Sequence, residues 1–341
     1  MTARAIAAQA QLHHQYFLGL QLMVAVEESK QTVYDWMFRL FRRQHEEKFL
    51  SSFEKLGLAG EPHAIACAKY HVLSNGIGGV AVEYMEEGAQ KAWVRFRYPR
   101  WMYAGPAICG IPVEASRGFL HGWYAQNGVS LGNPRLGFVC VSEDVTGQFG
   151  LCGYFQEYDH DLTADERLRF APEERPPVFQ SDQQPQPPAQ DWSKDRLAKA
   201  NRNYAMEYVR NGLSALQDTI GRDKALAHAK RAARLIGLQN YAAMAQAIDA
   251  VDGTVADAAA FLTAMLAGMG DDCDTAELRP GQYRIRQTGL RIVRDLSSPL
   301  REDLLAAWIE LWRGALHAHR IFLKVECQVG QDALVWSLEP S

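Results

Sequence analysis

Three side chains that can bind a metal or carry a proton follow one another at intervals of four residues: His63, Cys67 and His71. On a helix they share one face, and imidazole and thiolate are good zinc ligands. The ends of this set would lie about 12 Å apart, because a helix rises 1.5 Å per residue, so one ion cannot take all three. Three readings stay open: zinc held by His71 and Cys67 with Glu83, an acid–base role for His63 or His71, and a packing face of small residues.

A second group combines guanidinium and aromatic side chains. Arg95 and Arg97 fall on the same face of a predicted strand, and paired guanidinium groups suit a carboxylate. Trp101 and Tyr103 follow and could wall a planar ligand. The alternative is that these arginines lie on an exposed, solvated strand face. The string Arg-Ile-Arg recurs at 284–286, and a pattern present in both segments favours a shared structural role.

Cys109 lies in a stretch rich in glycine and proline, and the helix predicted after it carries His121, Tyr124 and Asn127. A cysteine attacks as a thiolate and needs a nearby base. Cys109, His121 and Asn127 therefore form a possible nucleophile, base and orienting group, with Tyr124 on the same helix face. The alternative is a loop cysteine and a structural histidine.

The elements that must position these groups divide at a linker. Residues 175–190 contain five prolines, which favour an extended chain. They separate a first segment, 1–174, from a second, 191–341. Hydrophobic periodicity predicts the elements of each segment. In the first segment it predicts a helix near 33–41, a helix after 60, strands at 80–84 and 92–98, a helix at 113–127, and strands at 136–142 and 151–158. In the second segment it predicts helices at 209–220, from 223 and after 238, a strand at 283–287, a helix at 299–319, and strands at 321–327 and 334–338.

Both segments thus show the same order of elements. This order predicts an α+β fold of two tandem copies, each a helical layer packed on a mainly antiparallel sheet, related by a pseudo-two-fold axis. Tyr241, Ala245 and Asp249 are aligned with the His-Cys-His set. The second copy therefore lacks the histidines, and we place the site in the first.

Composition narrows the class of protein. The 341 residues are 48% hydrophobic and 22% charged, with a formal net charge of −4, which fits a globular protein and gives no basic footprint for nucleic acid. The six cysteines form no CxxC pair, and the apolar stretch 17–26 is too short to span a bilayer. We expect a cytoplasmic protein without membrane or nucleic-acid partners, with a homodimer as the candidate assembly.

Two stretches resemble known families. The hairpin at 325–336, with Glu326, Cys327 and Gly330, resembles the ending of vinyl-4-reductase-type small-molecule-binding domains, although Glu326 and Cys327 are adjacent here. His63, Asn75-Gly76 and the strand 95–99 resemble the L-2-amino-thiazoline-4-carboxylic acid hydrolase family. These resemblances imply a compact domain that binds a small, often cyclic, organic acid, and they make hydrolysis a candidate reaction.

The sequence-based hypothesis is a small-molecule enzyme, a hydrolase of a C–N or C–C bond in a cyclic organic acid. The rival is a binding or sensory protein without turnover. Arg95 and Arg97 would hold the carboxylate, and the remaining candidates have two roles. The catalytic candidates are His63, His71, His121 and Cys109, and the pocket candidates are Trp101, Tyr103, Tyr124 and Asn127. No cofactor is expected, with zinc as the one alternative.

Overall fold

The computed structural model describes residues 3–98, 100, 105–186 and 193–341. The chain separates into two compact units. The central unit runs from Val24 to Ser193, and the composite unit joins the residues up to Met23 with Lys194–Ser341. The sequence-based division had placed residues up to 174 together; in the structure the residues before Val24 pack with the carboxyl-terminal part of the chain. Most of helix α1 (Ala3–Glu27) therefore belongs to the composite unit.

The central unit contains one five-stranded sheet and the helices that follow α1. Its helices are α2 (Lys30–Lys55), α3 (His63–Ile77), α4 (Val113–Gly122) and α5 (Asn127–Ser130). Its strands are β1 (Val82–Gly88), β2 (Lys91–Phe96), β3 (Leu136–Ser142), β4 (Cys152–Glu157) and β5 (Leu168–Phe170). The strand order is β1-β2-β4-β3-β5, and every pair is antiparallel except β3 with β5.

The two faces of this sheet have different partners. Helix α3 packs on β1, β2 and β4, and the core between them includes Cys67, Tyr84 and Phe155. The opposite face carries a smaller apolar cluster that includes Trp93, Cys152 and Tyr154. Because side chains alternate along a strand, successive residues of β1 and of β2 point to opposite faces of the sheet.

The predicted linker is more than a spacer in its described part. The side-chain amide of Gln184 accepts from the Tyr84 backbone N–H at 2.9 Å and donates to the Tyr84 carbonyl at 2.8 Å. A glutamine amide thereby satisfies the backbone of β1, an edge strand whose groups would otherwise face solvent. Upstream, Glu174 accepts from the Tyr154 hydroxyl at 3.0 Å. The chain from Glu174 to Gln184 therefore contacts the sheet at two points.

The composite unit repeats the same order of elements with four strands. Its helices are α6 (Lys194–Ile220), α7 (Arg222–Ala247), α8 (Val255–Met269) and α9 (Leu300–His317). Its strands are β6 (Asp272–Arg279), β7 (Gln282–Thr288), β8 (Leu323–Val329) and β9 (Ala333–Pro340), in the order β6-β7-β9-β8.

The predicted α+β class with mainly antiparallel sheets is confirmed. The order β6-β7-β9-β8 reproduces β1-β2-β4-β3, and the hairpins β1–β2 and β6–β7 carry a register shift at the same distance from the turn. These features agree with the predicted repeat. The sequence analysis missed strands β5 and β6. It also placed a helix soon after 238, whereas α8 begins at Val255 because α7 continues to Ala247.

Candidate functional site

An open cavity of about 330 Å³ lies at the end of β2 in the central unit. We call it the arginine cleft. Pockets for small molecules commonly begin at about 300 Å³, so a ligand of one ring would fit. The lining side chains combine guanidinium groups with rings and one carboxylate. They are Arg95, Phe96, Arg97, Tyr98, Ile108, Asp144, Phe149 and Gly150.

The strand register brings the charged groups of the cleft together. Arg95 pairs with Glu83 on β1 and with Cys152 on β4, so these three side chains form one row on the sheet face opposite α3. Arg97 lies two residues further along and shares that face. The two guanidinium groups thus stand side by side at the open end of the sheet, as the sequence predicted.

The Glu83 carboxylate lies near both arginines, at distances longer than those of a close ion pair. It is 3.8 Å from Arg95 Nη1 and 3.4 Å from Arg97 Nη1. Two buried polar atoms of these side chains, Arg95 Nε and Glu83 Oε2, have no hydrogen-bond partner among the residues that the structure describes. Because an unmet buried donor is costly, a ligand oxygen that reached Arg95 would be favoured.

Aromatic rings form the walls of the cleft. The Phe149 ring lies 5.7 Å from the Arg95 guanidinium and 5.9 Å from that of Arg175, within the range of cation–π contacts. Gly150 has φ +75°, and a Cβ there would come within 2.4 Å of the Tyr98 ring. Glycine is therefore needed where the loop after β3 meets Tyr98.

A buried ion pair fixes Tyr98. Asp144 accepts two hydrogen bonds from Arg100 Nη1, at 2.6 and 2.8 Å, one from the Ser116 hydroxyl at 2.6 Å, and one from the Tyr98 hydroxyl. Burial and the adjacent Asp144 charge raise the pKa of Tyr98 above its usual range, so the phenol stays neutral. With four hydrogen bonds made, Asp144 acts as a structural anchor rather than as a free ligand group.

Several other predicted site residues meet in the core, on the sheet face that packs against α3. His71 is 2% exposed, its Nε2 lies 3.1 Å from Asn127 Nδ2, and its ring stacks on Tyr124 at 4.0 Å. Burial, and then the neighbouring His45, lower the pKa of His71 well below its usual range. Cys67 is fully buried, and burial raises the pKa of its thiol. This cluster packs as part of the core, and its groups are neutral.

The remaining catalytic candidates lie apart from one another. His63 begins α3 and places Nδ1 3.0 Å from Asn133 Nδ2. His121, in the last turn of α4, places Nδ1 3.0 Å from the Arg117 carbonyl, and burial lowers its pKa. Cys109 is exposed on a short helix, Gly105–Gly110, next to Ile108 of the cleft. Of the residues that line the cleft in the described part of the chain, none is a histidine or a cysteine.

The three proposed zinc ligands are separated by the sheet. Glu83 shares a face with Arg95 and Arg97, whereas Cys67 and His71 lie among the core residues on the α3 side. Within residues 3–98, 100, 105–186 and 193–341, no group of three or more His, Cys, Asp or Glu side chains is arranged to hold a metal ion. Trp101 and Tyr103, the predicted walls of the pocket, lie outside the described residues.

The structure changes which elements of the two units correspond to each other. By element order α3 corresponds to α8, and both have fifteen residues. His63, Cys67 and His71 therefore match Val255, Ala259 and Thr263 rather than residues of α7. Counted from the hairpin turns, Arg95 matches Arg286 and Arg97 matches Thr288. Only one of the two arginines therefore has an arginine counterpart in the composite unit. The sequence comparison had matched both of them, through the string Arg-Ile-Arg at 284–286.

Sequence reasoning missed the loop after β3, which supplies Asp144, Phe149 and Gly150. Its only signal was a cluster of polar residues and glycines between two strands, which predicts a turn and not a binding wall. The role of Arg100 could not be predicted either, because its buried partner, Asp144, is 44 positions away in the sequence.

No protein-family model, curated protein or solved structure matches the chain. The helices of the described residues include no candidate membrane-spanning segment.

Proposed function

We propose that the central unit binds a small organic carboxylate in the arginine cleft. One observation carries the proposal: Arg95 and Arg97 stand side by side at a cavity of about 330 Å³ whose other walls include Tyr98 and Phe149. A guanidinium group binds a carboxylate through two parallel N–H donors. The rings favour a planar or cyclic body on the acid.

The charge balance of the cleft supports an anionic ligand. Glu83 offsets one of the two arginines, and it does so at 3.4 to 3.8 Å rather than through hydrogen bonds. Asp144 is neutralised by Arg100. One positive charge therefore remains at the mouth of the cleft, where a ligand carboxylate would complete the pairing.

Calorimetric titration tests this proposal with benzoate, cyclohexanecarboxylate and acetate, and with benzamide as the neutral analogue of benzoate. We expect the ring acids to bind more tightly than acetate, and benzamide to bind weakly. Arg97→Gln should weaken benzoate binding at least about tenfold, because a hydrogen bond to a charged group contributes about 1.5–3 kcal/mol. Arg135→Gln, at an exposed arginine of the same unit, is the matched control. Equal binding by both variants would remove the arginine pair from the ligand site.

Hydrolysis of a C–N bond in the bound acid is the second candidate function. The supporting observation is that Cys109 is exposed and follows Ile108, which lines the cleft. The test is incubation with a five-membered cyclic amide or amidine carboxylate, with the ring-opened product detected by mass spectrometry. Cys109→Ser should abolish product and keep benzoate binding. Unchanged turnover in that variant would exclude Cys109 as the nucleophile.

A further inference from the structure

Among the described residues, one buried arginine of the composite unit has no acidic partner. Arg202, on α6, is 3% exposed. Its Nη1 donates to the Gly268 carbonyl at 3.0 Å, while Nε and Nη2 both donate to Asn203 Oδ1, at 3.2 and 3.0 Å. A guanidinium has five N–H groups, and these bonds use three of them. Buried arginines are normally paired with a carboxylate.

A second arginine converges on the same amide oxygen. Arg291, which follows β7, donates from Nε to Asn203 Oδ1 at 3.3 Å. In the described part of the chain, no carboxylate lies within 4.0 Å of either guanidinium. The acid beside them, Asp271, already accepts from Gln287 Nε2 at 2.6 Å and from the Arg291 backbone N–H at 2.7 Å.

The local charge is therefore unbalanced. Burial, and then the charge of Arg291, lower the pKa of Arg202 to about 10, against the raising effect of Asp271. Arg202 still carries its charge at neutral pH. The carboxyl-terminal end of α8, which Arg202 caps, contributes about half a negative charge, and burial raises the pKa of Asp271. Two guanidinium charges thus exceed the negative charge around them.

The backbone of Gly270 lies directly against both arginines. Gly270, just after α8, has φ +102°. A Cβ at this position would lie 3.3 Å from Arg202 Nη1 and 3.1 Å from Arg291 Cδ. A side chain would crowd both arginines, so glycine is needed where the helix end meets the two guanidinium-bearing side chains.

We propose that Arg202, Arg291 and Asn203 form an anion-binding site in the composite unit, for a small ligand that carries a phosphate or carboxylate group. Its oxygens would accept from the unused guanidinium N–H groups and balance the excess charge. This site is separate from the arginine cleft, because all of its residues belong to the other unit.

The test uses the full chain with Arg95→Gln and Arg97→Gln already introduced, so that the arginine cleft cannot bind the probe. Inorganic phosphate and acetate are titrated separately at constant ionic strength, with chloride as the balancing anion, and followed by calorimetry and thermal unfolding. We expect saturable binding of at least one probe and a rise in the unfolding temperature with its concentration. The tighter of the two probes identifies the anionic group.

Variants then assign the binding to the two arginines. Arg291→Gln should weaken it at least about tenfold, and Arg279→Gln, an exposed arginine of the same unit, should leave it unchanged. If Arg202→Lys folds, it should also weaken binding, because lysine keeps the charge and loses the planar fork. Absence of saturable binding, or equal binding by Arg291→Gln and Arg279→Gln, would overturn the proposal. Neither result bears on the proposal for the arginine cleft, because Arg95 and Arg97 are replaced in every sample.

Discussion

Replacing Asp144 by asparagine should destabilise the central unit and loosen its cleft. The carboxylate is buried with Arg100, which donates to it at 2.6 and 2.8 Å, and it also anchors Tyr98 and Ser116. Removing one partner of a buried ion pair costs about 3–5 kcal/mol. For a unit of 170 residues, Val24 to Ser193, each kcal/mol lowers the unfolding temperature by about 2–4 °C, so we expect a decrease of about 6–20 °C.

The assay is thermal unfolding of Asp144→Asn followed by circular dichroism, with benzoate affinity measured below the transition. The control is Glu143→Gln, which removes the neighbouring ion pair with Arg117. The arginine side chain is 45% exposed and the carboxylate 15%, and pairs that reach solvent contribute about 0–1 kcal/mol. If Asp144→Asn unfolds within about 2 °C of Glu143→Gln, the buried pair does not stabilise the unit and the reasoning is refuted.

Three further predictions concern Gly150, the thiol of Cys109, and the buried histidines His13 and His45. Gly150→Ala should lower benzoate affinity by an order of magnitude in calorimetry, since its Cβ would come within 2.4 Å of the Tyr98 ring; unchanged affinity would count against that wall. Cys109 is exposed, whereas the other five cysteines are buried or partly buried, so a thiol reagent should label Cys109 first. Cys109→Ser should remove the fast phase; a surviving fast phase would contradict the lower exposure of the other thiols. Burial lowers the pKa of His13 and of His45 to about 3, whereas a histidine in the unfolded chain has a pKa of about 6.5. The folded state therefore binds a proton on each of these histidines less readily than the unfolded state does. Stability is therefore full above about pH 6.5 and falls on acidification, by about 2 kcal/mol per histidine at pH 5; urea unfolding at pH 7.5 and pH 5 measures this, and equal midpoints would contradict it.

The fold class could be predicted because its signals are local. The alternation in 92–98 marks β2, where Val94 and Phe96 enter the core, and the same alternation correctly placed Arg95 and Arg97 together on the other face. Strand β6 was missed because its residues are mostly exposed. An exposed strand lacks the apolar alternation that identifies a strand in sequence.

The partners of the predicted groups could not be read from the sequence. The spacing of Cys67 and His71 correctly indicated one helix face, but burial and aromatic stacking make that face part of the core. The Asp144–Arg100 contact depends on the loop after β3 folding back on the end of β2. Such long-range contacts arise from tertiary packing, and no local pattern encodes them.

The most direct test of the account is a crystal structure of the full chain with 4-bromobenzoate, located by the anomalous scattering of bromine. We predict one site in the central unit, with the carboxylate within hydrogen-bond distance of Arg97 or Arg95 and the bromine between the Tyr98 and Phe149 rings. Bromine density elsewhere, with the arginine cleft empty at a saturating ligand concentration, would contradict the central claim that the cleft binds a ring carboxylate.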